Sequence, residues 1–331
     1  MDSRWTDSLG LALMHHDTAG HAAAWARAAE GAGLGSVWII EDYFHPGAFA
    51  LAGAAGAVTE RIAVGLGVVN PYTRHPVLLA METAALAGIA PDRVILGLGS
   101  SNRRWIEEQM AIPFKTPLNA VRECVEIVRR LLGGERLTLR GQSFSVDGVA
   151  LEAAPKQRIP VFLGVKGPKA LAMAAEIADG VHCSVLASPA HVRRVRQTTG
   201  GRGAVIAYVV MAVDADGARA RHAVRPVIAR YLGVLHGQSI LEDAGMGPAR
   251  TQPFRDALLC GASAASLVTD EMVEALAVAG TPDECRRGLR RFAEAGLDTA
   301  VAVIPGGLDM TEQIARVGEV SASWKEMRWP R

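Results

Sequence analysis

Residues 62–76 read IAVGLGVVNPYTRHP: an unbroken apolar run, a polar turn, then a proline where a helix can begin. A strand that is apolar at consecutive positions, rather than at alternate ones, is covered on both faces, as in parallel sheets wrapped by helices. The same unit recurs along the chain. Apolar runs at residues 9–14, 36–40, 62–69, 93–98, 160–164, 180–185, 204–213 and 300–304 alternate with helix-periodic stretches at 20–32, 47–57, 76–87, 117–132, 168–178, 189–197, 217–235 and 282–295. Eight strands and eight helices in 331 residues predict an α/β fold, a closed (β/α)8 TIM barrel, rather than an open sheet. Two stretches break the alternation. Residues 136–151, RLTLRGQSFSVDGVAL, have period-two patterning about Arg140-Gly141-Gln142 and predict a β-hairpin before the fifth barrel strand. Residues 235–281 are too long for a bare connection and predict a helical insertion near the mouth of the barrel. The expected organisation is one domain over residues 1–331, with insertions at about 135–152 and 236–281.

Composition narrows the function. Half of the residues are apolar, enough for a large core, and 35 lysines and arginines against 34 aspartates and glutamates leave a net charge of +1. No net field exists to hold a nucleic acid or an anionic membrane surface, so neither is expected as a partner. Cys124, Cys183, Cys260 and Cys285 are isolated, without metal-ligand spacing, and read as free thiols of a cytoplasmic protein. The N-terminal stretch lacks the basic and apolar regions of a signal peptide, and the apolar runs are of strand length.

In a barrel of this kind, reacting groups sit on the loops at the carboxyl ends of the strands. After the first strand come His15, His16 and Asp17; after the second, Glu41, Asp42 and Tyr43; after the third, Asn70 and the turn that follows; after the fourth, Gly99, Ser100 and Ser101; after the fifth, Val165, Lys166, Gly167, Pro168 and Lys169. His15 is either a proton relay or a packed ring. Glu41 and Asp42 are neighbouring carboxylates, and like charges at close range raise one pKa, which suits acid–base work; capping of the next helix is the competing role. Gly65 and Gly67 inside a buried strand mark a bulge or a close approach, either to a flat ring or to a neighbouring strand. GLGSS, residues 97–101, lacks the third glycine and the acidic partner of a dinucleotide fingerprint, leaving amides and hydroxyls suited to phosphate or carboxylate oxygens. In GVKGPK, residues 164–169, Pro168 stands at a first helical turn, Lys166 and Lys169 flank it and Gly167 lets the backbone approach an anion, an arrangement for a phosphate; solvated charges at a helix start are the competing reading of the lysines.

WIIEDYFHPGAFALAGAAGAVTERIAVGLGVVNPYTRHPVLLAMETAAL, followed by RVILGLGSS and PVFLGVKGPKALAMAAEIADGV, resembles the bacterial-luciferase-like superfamily, in particular its coenzyme F420-dependent, methylene-tetrahydromethanopterin-reductase-like branch. The resemblance implies that the ring of F420, or alternatively FMN, lies across the carboxyl end of the barrel. It places a non-proline cis peptide at Gly67 and Val68 behind that ring. Gly164, Val165, Lys166, Gly167 and Pro168 would then meet the cofactor phosphate, and Asn70, Gly99, Ser100 and Ser101 would line the ring or tail. Glu41 and Asp42 fall where many relatives have Asp-His, so Asp42 replaces a histidine. Ser100 stands where the sugar-phosphate dehydrogenase branch has an acid, which argues against that substrate. The implied activity is hydride transfer between reduced deazaflavin and a C=C, C=N or C=O group of a small organic molecule, with His15, Glu41 or Asp42 supplying the proton. An FMN-dependent monooxygenase served by a separate reductase and a non-catalytic cofactor-binding protein are the alternatives. Relatives often pair through barrel helices, so a homodimer is expected.

Overall fold

The structure, a computed structural model, describes residues 3–14, 18–42 and 44–328. In chain order its elements are β1 (Gly10–Leu13), α1 (Thr18–Gly31), β2 (Ser36–Ile39), α2 (Ala48–Ala57), β3 (Ala63–Val69), α3 (Pro76–Ile89), β4 (Val94–Leu98), α4 (Pro117–Leu132), β5 (Leu137–Arg140) and β6 (Ser145–Val149). There follow β7 (Val161–Leu163), α5 (Pro168–Ile177), β8 (Gly180–Cys183), α6 (Pro189–Thr199), β9 (Ala204–Val213), α7 (Gly217–Val234), α8 (Ser239–Glu242), α9 (Pro248–Leu259) and α10 (Asp270–Leu276). The chain ends with β10 (Ala277–Gly280), α11 (Pro282–Glu294), β11 (Thr299–Val303), α12 (Met310–Ser321) and α13 (Trp324–Arg328).

Strands β9, β11, β1, β2, β3, β4, β7 and β8 are neighbours in that order, all parallel, and the β8–β9 pairing closes them into an eight-stranded barrel. Every residue of β1, β2, β4, β7, β8 and β11 is buried, as the unbroken apolar runs require. The interior is filled by rings set against glycines. Trp38 of β2 lies against Phe162 of β7 (6.2 Å between centroids) and His182 of β8 (4.7 Å), His182 lies against Tyr208 of β9 (4.2 Å), and Trp5 caps the amino end. Helices supply the outer layer by their own local chemistry. Helix α4 presents Val121, Cys124, Val125, Val128, Leu131 and Leu132 at three- and four-residue spacing, and α11 starts in a capping box between Thr281 and Glu284.

All eight expected strands are present within two residues of their expected ends, and β5 and β6 pair antiparallel as the hairpin. Two corrections concern the remaining elements. The 235–281 insertion is not purely helical: β10 adds a ninth strand, parallel to Val210–Val213 at the end of β9. It follows α10 without a break, so its four apolar residues merge with the helix pattern. The expected eight helices counted both α7 and α11 between the last two barrel strands and left out α12, which closes the final unit from an Asp309 cap.

Candidate active site

The third barrel strand is kinked where the sequence placed two glycines. Pairing of β3 with β4 shifts register between Leu66 and Val69, and the Gly67–Val68 peptide is cis. The Tyr208 hydroxyl donates to the Gly67 carbonyl at 2.6 Å, inside the barrel. Gly65 and Gly67 each admit a neighbouring side chain: a Cβ on Gly65 would enter the Trp38 indole, and one on Gly67 would strike Tyr208 and come within 2.9 Å of His182. Val68 is the residue the kink displaces. Its methyls would sit 2.8 Å from a Cβ at Gly99 and 3.0 Å from one at Gly164, so β3, β4 and β7 converge on it, and glycine is required there by space.

Gly99 and Gly164 are not the anion donors the sequence indicated. The Gly99 N–H is spent on the Val69 carbonyl (2.9 Å) and the Gly164 N–H on Leu98 (2.8 Å), while Pro168 has none. The available donors are one step further on. Among the described residues no acceptor takes the amides of Val165, Lys166 or Gly167, which precede the ten-residue helix α5. Lys166 donates to Gln238 at 3.1 Å, and burial pushes its ammonium pKa down to about 8. Opposite, Ser101 has φ +60 and a buried hydroxyl without a partner, and Ser100 donates to the Ser101 carbonyl (3.3 Å). Among the described residues, three unspent amides and a desolvated lysine on the loop after β7, with an orphaned hydroxyl on the loop after β4, suit a ligand with a phosphate tail.

The two neighbouring carboxylates have separate fates. Glu41 is 4% exposed, bound to Arg74 at 2.6 Å, and it accepts from the Ala48 N–H (3.2 Å) at the start of α2. These contacts make it a strut between the β2 and β3 loops, the helix-capping role that competed with acid–base work. The Asn70 Oδ1 accepts from the amides of Tyr72 (3.0 Å) and Thr73 (3.1 Å), which fixes the turn. Asp42 instead lines a cavity of about 300 Å³ with Leu13, Met14, Ile40, His45, Arg230 and Tyr231. The phenol of Tyr231 is raised to about 12, by burial first and by the charge of Asp42 second. His15 lies outside the described residues. Sequence reading missed Arg230 and Tyr231, which come from the C-terminal part of α7 and not from a strand end. Their one signal was an apolar helix face carrying a Tyr beside an Arg. Among the described residues no helix is long and apolar enough to cross a membrane, and no group of three or more His, Cys, Asp or Glu could hold a metal.

The eight parallel strands, closed by the β8–β9 pairing and alternating with helices, define a (β/α)8 barrel. The chain belongs to the luciferase-like monooxygenase family, whose model matches residues 5–299. It is 30% identical over 314 residues to a 5,10-methylenetetrahydromethanopterin reductase of Archaeoglobus fulgidus, covering 89% of this chain and 92% of that one. The corresponding reductase of Methanolobus tindarius is 28% identical over 324 residues, covering 94% and 98%. Among solved structures, the coenzyme F420-dependent tetrahydromethanopterin reductase of Methanopyrus kandleri superposes with a TM-score of 0.85 at 27% identity, over 95% of this chain and 98% of that one.

Proposed function

We propose that this protein is a coenzyme F420-dependent oxidoreductase, a one-domain barrel acting in the cytoplasm on a small organic substrate. The observation that carries the reading is the set of donors at Val165, Lys166 and Gly167 that are unspent among the described residues, following the Gly164 that abuts Val68, in a chain similar to a coenzyme F420-dependent reductase. When bound, the deazaflavin supplies the carbon that gives or takes a hydride. The rest is the protein's work. Val68, held forward by Gly99 and Gly164, backs the ring; the loop amides and Lys166 hold the phosphate; Ser100 and Ser101 line the opposite side. Leu13, Ile40 and Leu51 keep water from the reacting face. Asp42 holds the proton that the substrate carbon or heteroatom receives, and Glu41, through Arg74, positions the loop that carries it. The free thiols, three of them buried, accord with a reducing compartment.

Parallel equilibrium titrations of the purified protein with F420 and with FMN test this. F420 should bind at least about tenfold more tightly. FMN binding with no F420 binding would instead assign the chain to a flavin monooxygenase.

The protein works as a homodimer joined through α2 and α3. Helix α2 has no charged residue and α3 only Glu82, while Leu78, Met81 and Ile89 of α3 lie 46%, 53% and 47% exposed. A two-fold contact must be self-complementary, and an almost uncharged face meets that condition. Sedimentation should give twice the 35.0 kDa chain mass, and Met81→Lys should return it to one.

A further inference from the structure

Helix α7 carries four arginines, and three are spent. Arg219 pairs with Asp214, Arg221 with Glu284 (3.0 Å), and Arg225 with Asp270 (2.7 Å). Arg230 has no ion pair among the described residues, and it is the arginine of that helix that lines the cavity holding Asp42. Among the described residues, the arginine of this helix without an ion pair is thus the one that lines the cup. Tyr231 lines the same cavity, its phenol raised by burial first, then by Asp42, and lowered by Arg230. The cup thus has a cationic wall on α7, an acid on the loop after β2, and aliphatic side chains between them.

A guanidinium offers a planar fork of donors that matches carboxylate and phosphate oxygens and binds them more strongly than it binds neutral acceptors. We propose that the substrate carries an acidic group, a carboxylate or a phosphate, which Arg230 binds on the α7 wall while the reacting end faces Asp42. This rests on the cup being the substrate site of the oxidoreductase described above. Arg230 is then the residue that selects substrates by charge, while Lys166 serves the cofactor and lies on a different loop.

Calorimetric titration of the protein, with and without F420, using acetate, inorganic phosphate and neutral acetamide tests the assignment. Acetate or phosphate should bind at least about tenfold more tightly than acetamide, and whichever is preferred names the acidic group. Arg230→Gln should abolish that preference and Arg230→Lys should retain part of it, with F420 affinity changed less than about twofold in both. Equal binding of all three probes, no binding of either anion, or an unchanged preference in Arg230→Gln would overturn the proposal. So would a large loss of F420 affinity in Arg230→Gln, because Arg230 would then belong to the cofactor. Absence of F420 binding in the unaltered protein counts against the oxidoreductase reading, whereas the cofactor-free titrations still report on Arg230.

Discussion

Tyr208→Phe isolates the contact that holds the β3 kink from inside the barrel. The hydroxyl donates to the Gly67 carbonyl at 2.6 Å, and Tyr208 is only 5% exposed. Removing the donor leaves that carbonyl buried with an acceptor unmet, which costs about 1–3 kcal/mol. At an unfolding entropy of ~2 cal/mol/K per residue, a chain of 331 residues loses roughly 0.7 kcal/mol per degree, so Tm should fall by about 1.5–4 °C. The loss should also reach the ligand, because Gly67 sets where Val68 meets Gly99 and Gly164. Calorimetry of Tyr208→Phe, paired with F420 titration, reads both effects, and the expected pattern is a lower Tm together with weaker binding. An unchanged Tm would show that the carbonyl needs no donor. A lowered Tm with unaltered F420 affinity would show that the kink does not govern the cofactor seat.

Lys166→Met should weaken F420 binding by about tenfold or more, the worth of a charge-assisted contact, and should stabilise the cofactor-free protein, because burial disfavours the ammonium. With its pKa lowered to about 8, Lys166 in the unaltered protein should lose its charge, and with it affinity for F420, as pH rises past 8; a pH-independent dissociation constant in binding titrations from pH 7 to 9.5 would contradict this. Asp42→Asn should cut kcat by about a hundredfold or more with little change in cofactor affinity, whereas Glu41→Gln should lower thermal stability first, as a strut should. His182, with neither ring nitrogen partnered among the described residues, has its pKa lowered to about 3 by burial. A buried neutral histidine binds fewer protons than the unfolded chain, so stability should fall as pH drops from 6.5 toward 3, by up to about 5 kcal/mol in total. Denaturant titrations of His182→Leu should show a shallower acid slope than the parent.

The barrel was legible because burial on both faces writes each strand as an unbroken apolar run; residues 204–213 were bounded without error. The anion loop was legible as a location, but its donors were not. Whether Gly164 or Val165 carries the free amide depends on whether the Leu98 carbonyl, far away in the chain, is already taken. The same limit separates Glu41 from Asp42. They are adjacent and chemically alike, and the difference is Arg74, 33 residues further on, which claims one of them. Gly65 and Gly67 announced a close approach but not to what, since Trp38 and Tyr208 reach them from other strands. Arg230 and Tyr231 were hidden because a helix face says nothing of what it overhangs.

A crystal structure of the protein with coenzyme F420 is the most direct trial. The account predicts the deazaflavin ring against Val68, its phosphate on the amides of Val165, Lys166 and Gly167, and the lysine turned from Gln238 toward it. A ring bound elsewhere, or a phosphate that leaves those three amides untouched, would contradict it.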